Sequence, residues 1–241
     1  MKREAELRSL QAHIQPHFLY NTLDTIQWLA RKDGAQEATE MVEALSKLFR
    51  IGLSKGKEMI PLEDEFDHIR SYLKIQKTRY KDKLNYSIEV DESCRELLVL
   101  KLILQPIVEN AIYHGIKERR GPGMIAIRAR VQNGMLELVI EDDGAGMTEA
   151  RLTALRNILE ASTLTAEGIP RPAGELTMSG STSSYGLRNV QERIRLSFGE
   201  PYGLSITSQE KVGTVVTMKH PVIHRKGDHT DEAKVEGIDR G

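Results

Sequence analysis

Hydrophobic positions recur at helical spacing through the first third of the chain. Leu7, Leu10, Ile14, Phe18 and Trp28 mark a first helical stretch, interrupted by Pro16, and Asp33-Gly34 supplies a turn signal. Met41, Leu45, Leu48 and Phe49 mark a second helix. Leu62, Phe66, Ile69, Leu73, Gln76 and Tyr80 then alternate steps of four and three, a heptad-like stripe, with Pro61 suited to its first turn. Residues 1–83 therefore read as helical. Two helices alone cannot build much core. The pattern calls either for a second copy paired into a bundle or for a helical layer packed on the rest of the chain.

The period changes at Asn85. Tyr86 to Val90 alternates, as a strand does, whereas Leu97 to Ile116 is apolar with helical spacing. Met124–Val131 and Met135–Ile140 are alternating runs joined by Gln132-Asn133-Gly134, a hairpin signal. Residues 149–160 read as a helix, and residues 161–185, rich in Ser, Thr, Gly and Pro, as a mobile loop. A helix over Leu187–Phe198 and strands over Leu204–Ser208 and Thr214–Lys219 follow. This mixture predicts an α+β fold, a helical layer on a mainly antiparallel sheet. Residues 225–241 are polar and unpatterned and predict a disordered tail.

Composition narrows the function classes. The 241 residues suffice for one large or two modest domains, and 39% hydrophobic with 29% charged residues is ordinary for a soluble chain. A formal net charge of −1 gives no reason to expect a nucleic-acid surface or a polybasic membrane patch. The single cysteine, Cys94, can form no internal disulfide, and no zinc-ligand spacing occurs. The longest apolar run, Leu97–Val108, is too short to span a bilayer, and the polar N-terminus lacks a signal-peptide core. The expectation is a cytoplasmic chain, with any membrane attachment made by a segment outside it.

Three segments carry candidate chemistry. In the first, an apolar helix suddenly presents Glu109, Asn110 and His114. Asn110 and His114 are one turn apart and share a face, and a carboxamide oxygen is a hard neutral ligand suited to magnesium. In the second, a strand ends in Asp142, followed by Gly144 and Gly146, which let backbone approach a ligand. A buried acid there can accept a hydrogen bond from an exocyclic amine such as adenine N6. In the third, Ser183-Ser184-Tyr185-Gly186-Leu187 runs into a helix start, where free N–H groups suit phosphate. Each has a plain alternative: a polar helix end, an ordinary turn, a flexible connection. No Walker A loop is present.

In this order and spacing, the set resembles the N box and two glycine boxes of the ATPase fold shared by histidine kinases, DNA gyrase, a heat-shock chaperone family and MutL. The resemblance covers about residues 97–220. It implies that Asn110 holds magnesium, Asp142 binds adenine, Gly144 and Gly146 shape the pocket, and His114 lies near the phosphates. It also implies that Gly186 and Leu187 belong to the second glycine box, and that Thr214, after Gly213, sits beside adenine. Residues 147–185 become the ATP lid. Ser184 stands where the family usually has the first glycine of that box.

Pro16-His17-Phe18-Leu19-Tyr20-Asn21 is similar to the PHFxxN signature of LytS/YesM-type sensor kinases, and Gln105-Pro106-x-x-Glu109-Asn110-Ala111 matches that group too. Pro61-Leu62-Glu63-Asp64-Glu65 and Tyr72-Leu73-x-Ile75-Gln76 extend the match to about residues 7–222. The resemblance implies a helical dimerisation and histidine-phosphotransfer region over 1–84, an ATP-binding two-layer sandwich over 85–224 and a tail over 225–241. It further implies ATP and magnesium as cofactors, a homodimer, and a response regulator whose aspartate takes the phosphoryl group. His17 is the expected phosphoacceptor, since a neutral imidazole nitrogen is a good nucleophile. His13, one turn earlier, is its rival. Asn21 shares the face of His17 and is expected to position the phosphoryl group or a water. Glu109 is the candidate general base. The competing readings are an ATP-binding regulatory module and a serine kinase on the same fold.

Overall fold

The computed structural model describes residues 16–53, 58–161 and 182–225. Helices α1 (Pro16–Lys32) and α2 (Gln36–Leu53) fold back on each other through a tight turn at Gly34, φ +70°. The Ala35 N–H closes the end of α1 on the Ala30 carbonyl at 2.9 Å. Leu23 and Ala44 are buried along the hairpin, whereas Ile26, Trp28 and Leu29 leave α1 with an exposed apolar face.

Helix α3 (Leu62–Tyr80) carries Glu63, Asp64 and Glu65 in its first turn and Lys77 and Arg79 in its last, both favourable to the helix dipole. Its heptad-like stripe is buried: Leu62, Phe66, Ile69 and Leu73 share one core with Leu84, Leu97, Ile103 and Leu104. For α3, then, the stripe is satisfied within the chain rather than by a second copy. α2 packs on its flank.

Five strands form the main sheet: β2 (Leu84–Val90), β4 (Gly123–Gln132), β5 (Met135–Asp142), β6 (Gly203–Gln209) and β7 (Gly213–Pro221), in the order β2-β4-β5-β7-β6. The β2–β4 pair is parallel and the other three are antiparallel. Asn133 and Gly134 both take positive φ at the β4–β5 turn, as that dipeptide predicts. One face of the sheet is core: Ile125, Ile127, Leu136, Leu138, Ile140, Val216 and Met218 are all buried. The opposite face carries ion pairs between neighbouring strands, Arg130 to Glu137 at 2.9 Å and Arg128 to Glu141.

Helix α4 (Gln105–Asn110), which continues as a π-helical turn (Ala111–Ile116), joins α5 (Glu149–Ala161) and α6 (Thr182–Phe198) as the helical layer. The expected architecture, a helical hairpin followed by an α/β sandwich, is the one observed.

Three local expectations are corrected. Residues 1–83 are not all helical, because β1 (Met59–Pro61) pairs antiparallel with β3 (Leu98–Leu100). By the same pairing, Leu97–Ile116 is not one helix. Leu102 turns the chain with φ +59° and the helix begins only at Gln105. A short buried apolar run reads alike as strand or helix, and a partner strand about 40 residues away decides it. Finally, α6 starts at Thr182 rather than Leu187, so Ser183 to Gly186 lie within its first turns. The expected tail beyond Arg225 lies outside the described residues.

Phe66 of α3 is fully buried in the core that this helix shares with the sheet. Phe66→Ala should lower the unfolding free energy by about 3–5 kcal/mol in urea titrations. Val212→Ala, at a 58% exposed turn position, should change it by less than about 0.5 kcal/mol.

Candidate functional site

Asp142 ends β5 with its side chain turned into the layer interface, 6% exposed. Its neighbours are chiefly backbone. A Cβ on Gly115 would sit 2.4 Å from Asp142 Oδ1, and one on Gly144 only 2.3 Å from the Gly115 backbone. Gly144 N–H donates to Asp142 Oδ1 at 2.9 Å. Burial pushes the carboxyl up to about 6; the backbone N–H groups of Gly144 and Thr214 oppose that shift, and Asp143 and Glu141 add to it.

The segment after Asp142 is strapped at both edges. Ala145 N–H donates to the Gly115 carbonyl at 3.1 Å, and Lys211 N–H to the Ala145 carbonyl at 2.6 Å. Gly146, φ +65°, passes so close to the β6–β7 turn that a Cβ would lie 1.9 Å from the Gln209 carbonyl oxygen. Ser208 Oγ accepts from Met147 N–H at 2.9 Å, donates to the Gly213 carbonyl at 2.8 Å and lies 2.9 Å from Thr214 Oγ1. Two β strands and the end of α4 thereby fix the rim around Asp142.

Above Asp142 opens a cavity of about 370 Å³, within the usual range for small-molecule sites. Asn110, His114, Gly146, Leu187 and Thr214 line it with Asp142, and Ile107, Ile140, Leu155, Ile158 and Ile206 make its walls apolar. A larger cavity of about 680 Å³ adjoins it, lined mainly by polar and charged residues: Pro106, Glu109, Asn110, Tyr113, His114, Lys117, Glu118 and Gly186. Asn110 and His114 line both. His114 Nδ1 lies 3.2 Å from Glu118 Oε1, and the Lys117 ammonium sits 5.8 Å from the centroid of the Tyr113 ring. Glu109 Oε1 accepts from Gln105 Nε2 at 2.7 Å.

The two cavities suit different parts of one ligand. The inner one offers apolar walls and a single carboxylate, which fits a flat ring bearing an exocyclic amine. The outer one offers a carboxamide, an imidazole, an ammonium and two carboxylates, which fits phosphates and a cation. Among the described residues no cluster of three or more His, Cys, Asp or Glu side chains can hold a metal. Magnesium bound through one carboxamide and the ligand's own phosphates needs none.

Of the residues singled out in the sequence, Asn110, His114, Asp142, Gly146, Leu187 and Thr214 meet around the inner cavity, and Glu109 and Gly186 around the outer. Gly144 acts from beneath, through its contacts with Asp142 and Gly115. Gly186 lets α6 approach α4, since a Cβ there would meet Pro106 Cβ at 3.2 Å. His17 lies on α1 with its side chain outside the described atoms, as is that of Ser184; Asn21 is exposed on α1 and lines neither cavity. His13 and residues 162–181 of the expected lid lie outside the described residues. Sequence reasoning missed the α5 wall, where Arg151, Ala154, Leu155 and Ile158 line the inner cavity at one-turn spacing. That periodicity was legible, but nothing local says which side of the sheet α5 covers.

Comparison with known proteins agrees with this geometry. A family model described as histidine kinase matches residues 5–84, and one described as histidine kinase-, DNA gyrase B-, and HSP90-like ATPase matches residues 97–224. Sensor histidine kinase YesM of Bacillus subtilis (strain 168) is 35% identical over 219 residues, covering 91% of this chain and 34% of that protein. Sensor histidine kinase BtsS of Escherichia coli (strain K12) is 31% identical, covering 92% and 34%. Sensor protein LytS of Bacillus anthracis is 29% identical, covering 91% and 34%. The chain thus spans about a third of the length of these curated relatives. Its ATPase-family domain implies ATP binding. With both regions present in order, and a glycine-cradled carboxylate beneath the cavity, the chain belongs to the LytS/YesM/BtsS-type sensor histidine kinases.

Proposed function

We propose that this chain is the kinase core of a two-component sensor, which phosphorylates its own His17 at the expense of ATP and passes the phosphoryl group to an aspartate of a response regulator. The observation that carries the reading is the pair of joined cavities, one floored by the buried Asp142 carboxylate and the other by Glu109, with Asn110 and His114 between them.

Bound ATP with magnesium supplies the γ-phosphoryl group and much of the charge neutralisation. Asp142 accepts from the adenine amine, and Thr214 stands beside it. Asn110 holds the magnesium, and His114 and Lys117 face the phosphates. Gly186 and Leu187, in the early turns of α6, bring that helix to the mouth of the site. A ring nitrogen of His17 forms the new N–P bond as the bond from phosphorus to the ADP oxygen breaks. Glu109 takes the imidazole proton, since Phe18 follows His17 and no acid stands at that position. Asn21, one turn beyond His17, orients the phosphoryl group. The exposed Ile26, Trp28 and Leu29 of α1 favour a homodimer joined through the hairpin. No helix among the described residues is long and apolar enough to cross a membrane. We assign the chain to the cytoplasmic side, with membrane attachment through a segment outside it.

Incubation with γ-labelled ATP should give an acid-labile, alkali-stable label. His17→Gln should abolish it and leave nucleotide affinity intact. Acid-stable label would indicate a hydroxyl acceptor, and no label a binding module; full labelling of His17→Gln would remove His17 from the reaction.

Asp142 makes a second prediction. Its carboxyl is pushed up to about 6, and the ionised form is the better acceptor. Nucleotide affinity should therefore be full above that value and fall as pH drops through it. Asp142→Asn should bind more weakly and lack this dependence. Equilibrium titrations of both proteins across the range check it.

A further inference from the structure

Helix α3 presents two buried polar side chains, Glu65 and His68, to the segment that enters α4. Glu65 Oε2 accepts from Leu102 N–H at 2.8 Å and Oε1 from Leu104 N–H at 2.9 Å. Leu104 is the N-cap of α4 and has no side-chain cap of its own, and Pro106 in the first turn has no N–H to satisfy. Glu65 thus caps α4 from another helix. Burial pushes its carboxyl up to about 7, against the pull of those backbone donors.

His68 reaches the next residue. Its Nε2 lies 2.7 Å from Gln105 Oε1, and Gln105 Nε2 donates to Glu109 Oε1 at 2.7 Å. The polarity of this chain is dictated from its far end. A carboxylate oxygen only accepts, so the amide NH2 must face Glu109. The amide oxygen then faces His68, which must donate from Nε2. The other ring nitrogen, Nδ1, is buried and makes no hydrogen bond of normal length and angle, as the neutral Nε2–H tautomer allows. Burial holds the ring below its ordinary pKa, with Lys101 acting the same way and Gln105, the Leu48 carbonyl of α2 and Glu109 acting against it.

We propose that His68 is a positioning residue for the phosphotransfer reaction, acting through Gln105 to orient the Glu109 carboxylate at the outer cavity. The inference rests on Glu109 being the proton acceptor, as above. One oxygen of Glu109 is committed to Gln105, and the proton goes to the other. A hydrophobic residue at 68 would fill the buried space equally well but would free the Gln105 amide to rotate. Glu109 sits one turn beyond Gln105, so a wandering amide displaces the base without disturbing the apolar nucleotide pocket.

The test measures autophosphorylation at saturating ATP, ATP affinity by equilibrium binding, and the His68 ring by 15N NMR. His68→Leu should lower the rate about tenfold, a part of the roughly 10²–10⁴ that a positioned base contributes, with ATP affinity unchanged. His68→Gln, which places an N–H near the Nε2 position, should recover most of the rate. Gln105→Met should match His68→Leu, and it carries the test if His68→Leu fails to fold. In a Glu109→Gln background, His68→Leu should cost nothing further. The NMR spectrum of the wild-type protein at neutral pH should show a neutral Nε2–H ring. A wild-type rate in His68→Leu, a loss expressed in ATP affinity, additivity with Glu109→Gln, or an Nδ1–H ring would each overturn the inference. Absence of acid-labile label on the wild-type protein would overturn the kinase reading and this inference together, which separates the two failures.

Discussion

A carboxylate held out of water at the end of β5 governs how the rest of the sandwich is arranged. Burying an ion without partners costs several kcal/mol, so Asp142 must be met by donors and approached closely by chain that brings no side chain of its own. Both needs fall on the same few positions. Gly144 supplies a donor at 2.9 Å, and Gly115 and Gly144 touch where any Cβ would collide. The strand must also be central in a sheet with one dry face, so that its last inward residue points beneath the helices. β5, between β4 and β7, meets that condition. The result is a single carboxylate set among largely apolar walls.

The polar half of the site depends on where α4 begins. The loop before it is held from three helices: Lys101 Nζ donates to the Gly52 carbonyl of α2 at 2.9 Å, Glu65 of α3 caps the loop, and Arg193 of α6 donates to the Lys101 carbonyl at 2.8 Å. The helical hairpin and the nucleotide site therefore meet at the segment that aims Glu109 and Asn110. α3 takes part in both, with its apolar stripe in the sandwich core and its flank against α2. α3 also reaches the Glu109 carboxylate through two short polar contacts, His68 to Gln105 and Gln105 to Glu109.

Much of this was legible in the sequence, for local reasons. Alternation gave β4, β5, β6 and β7 to within a few residues, and Asn133-Gly134 gave their first hairpin, because a two-residue turn of that type needs positive φ twice. Asn110, His114, Asp142 and Gly146 stood out because polar or glycine residues interrupt apolar periodicity for a reason, whereas Thr214 came only from the family resemblance. What was not legible depended on distant partners. β1 and β3 are three residues each and exist only because they pair with each other. The start of α4 is displaced from where periodicity puts it, because Glu65, far back in the chain, supplies the cap. Nothing in the spacing around His68 singles it out in the sequence.

The sequence by itself determined the class of the fold, the order of its longer elements and the residue types gathered for nucleotide chemistry, since these follow from periodicity and from spacing along one chain. Only the tertiary structure decided that the α3 stripe is buried within the chain, that burial pushes the Asp142 carboxyl up to about 6, and that His68, Gln105 and Glu109 form one hydrogen-bonded line. Desolvation and hydrogen-bond direction depend on every atom packed around a group. Those atoms come from segments that sequence separates and folding brings together.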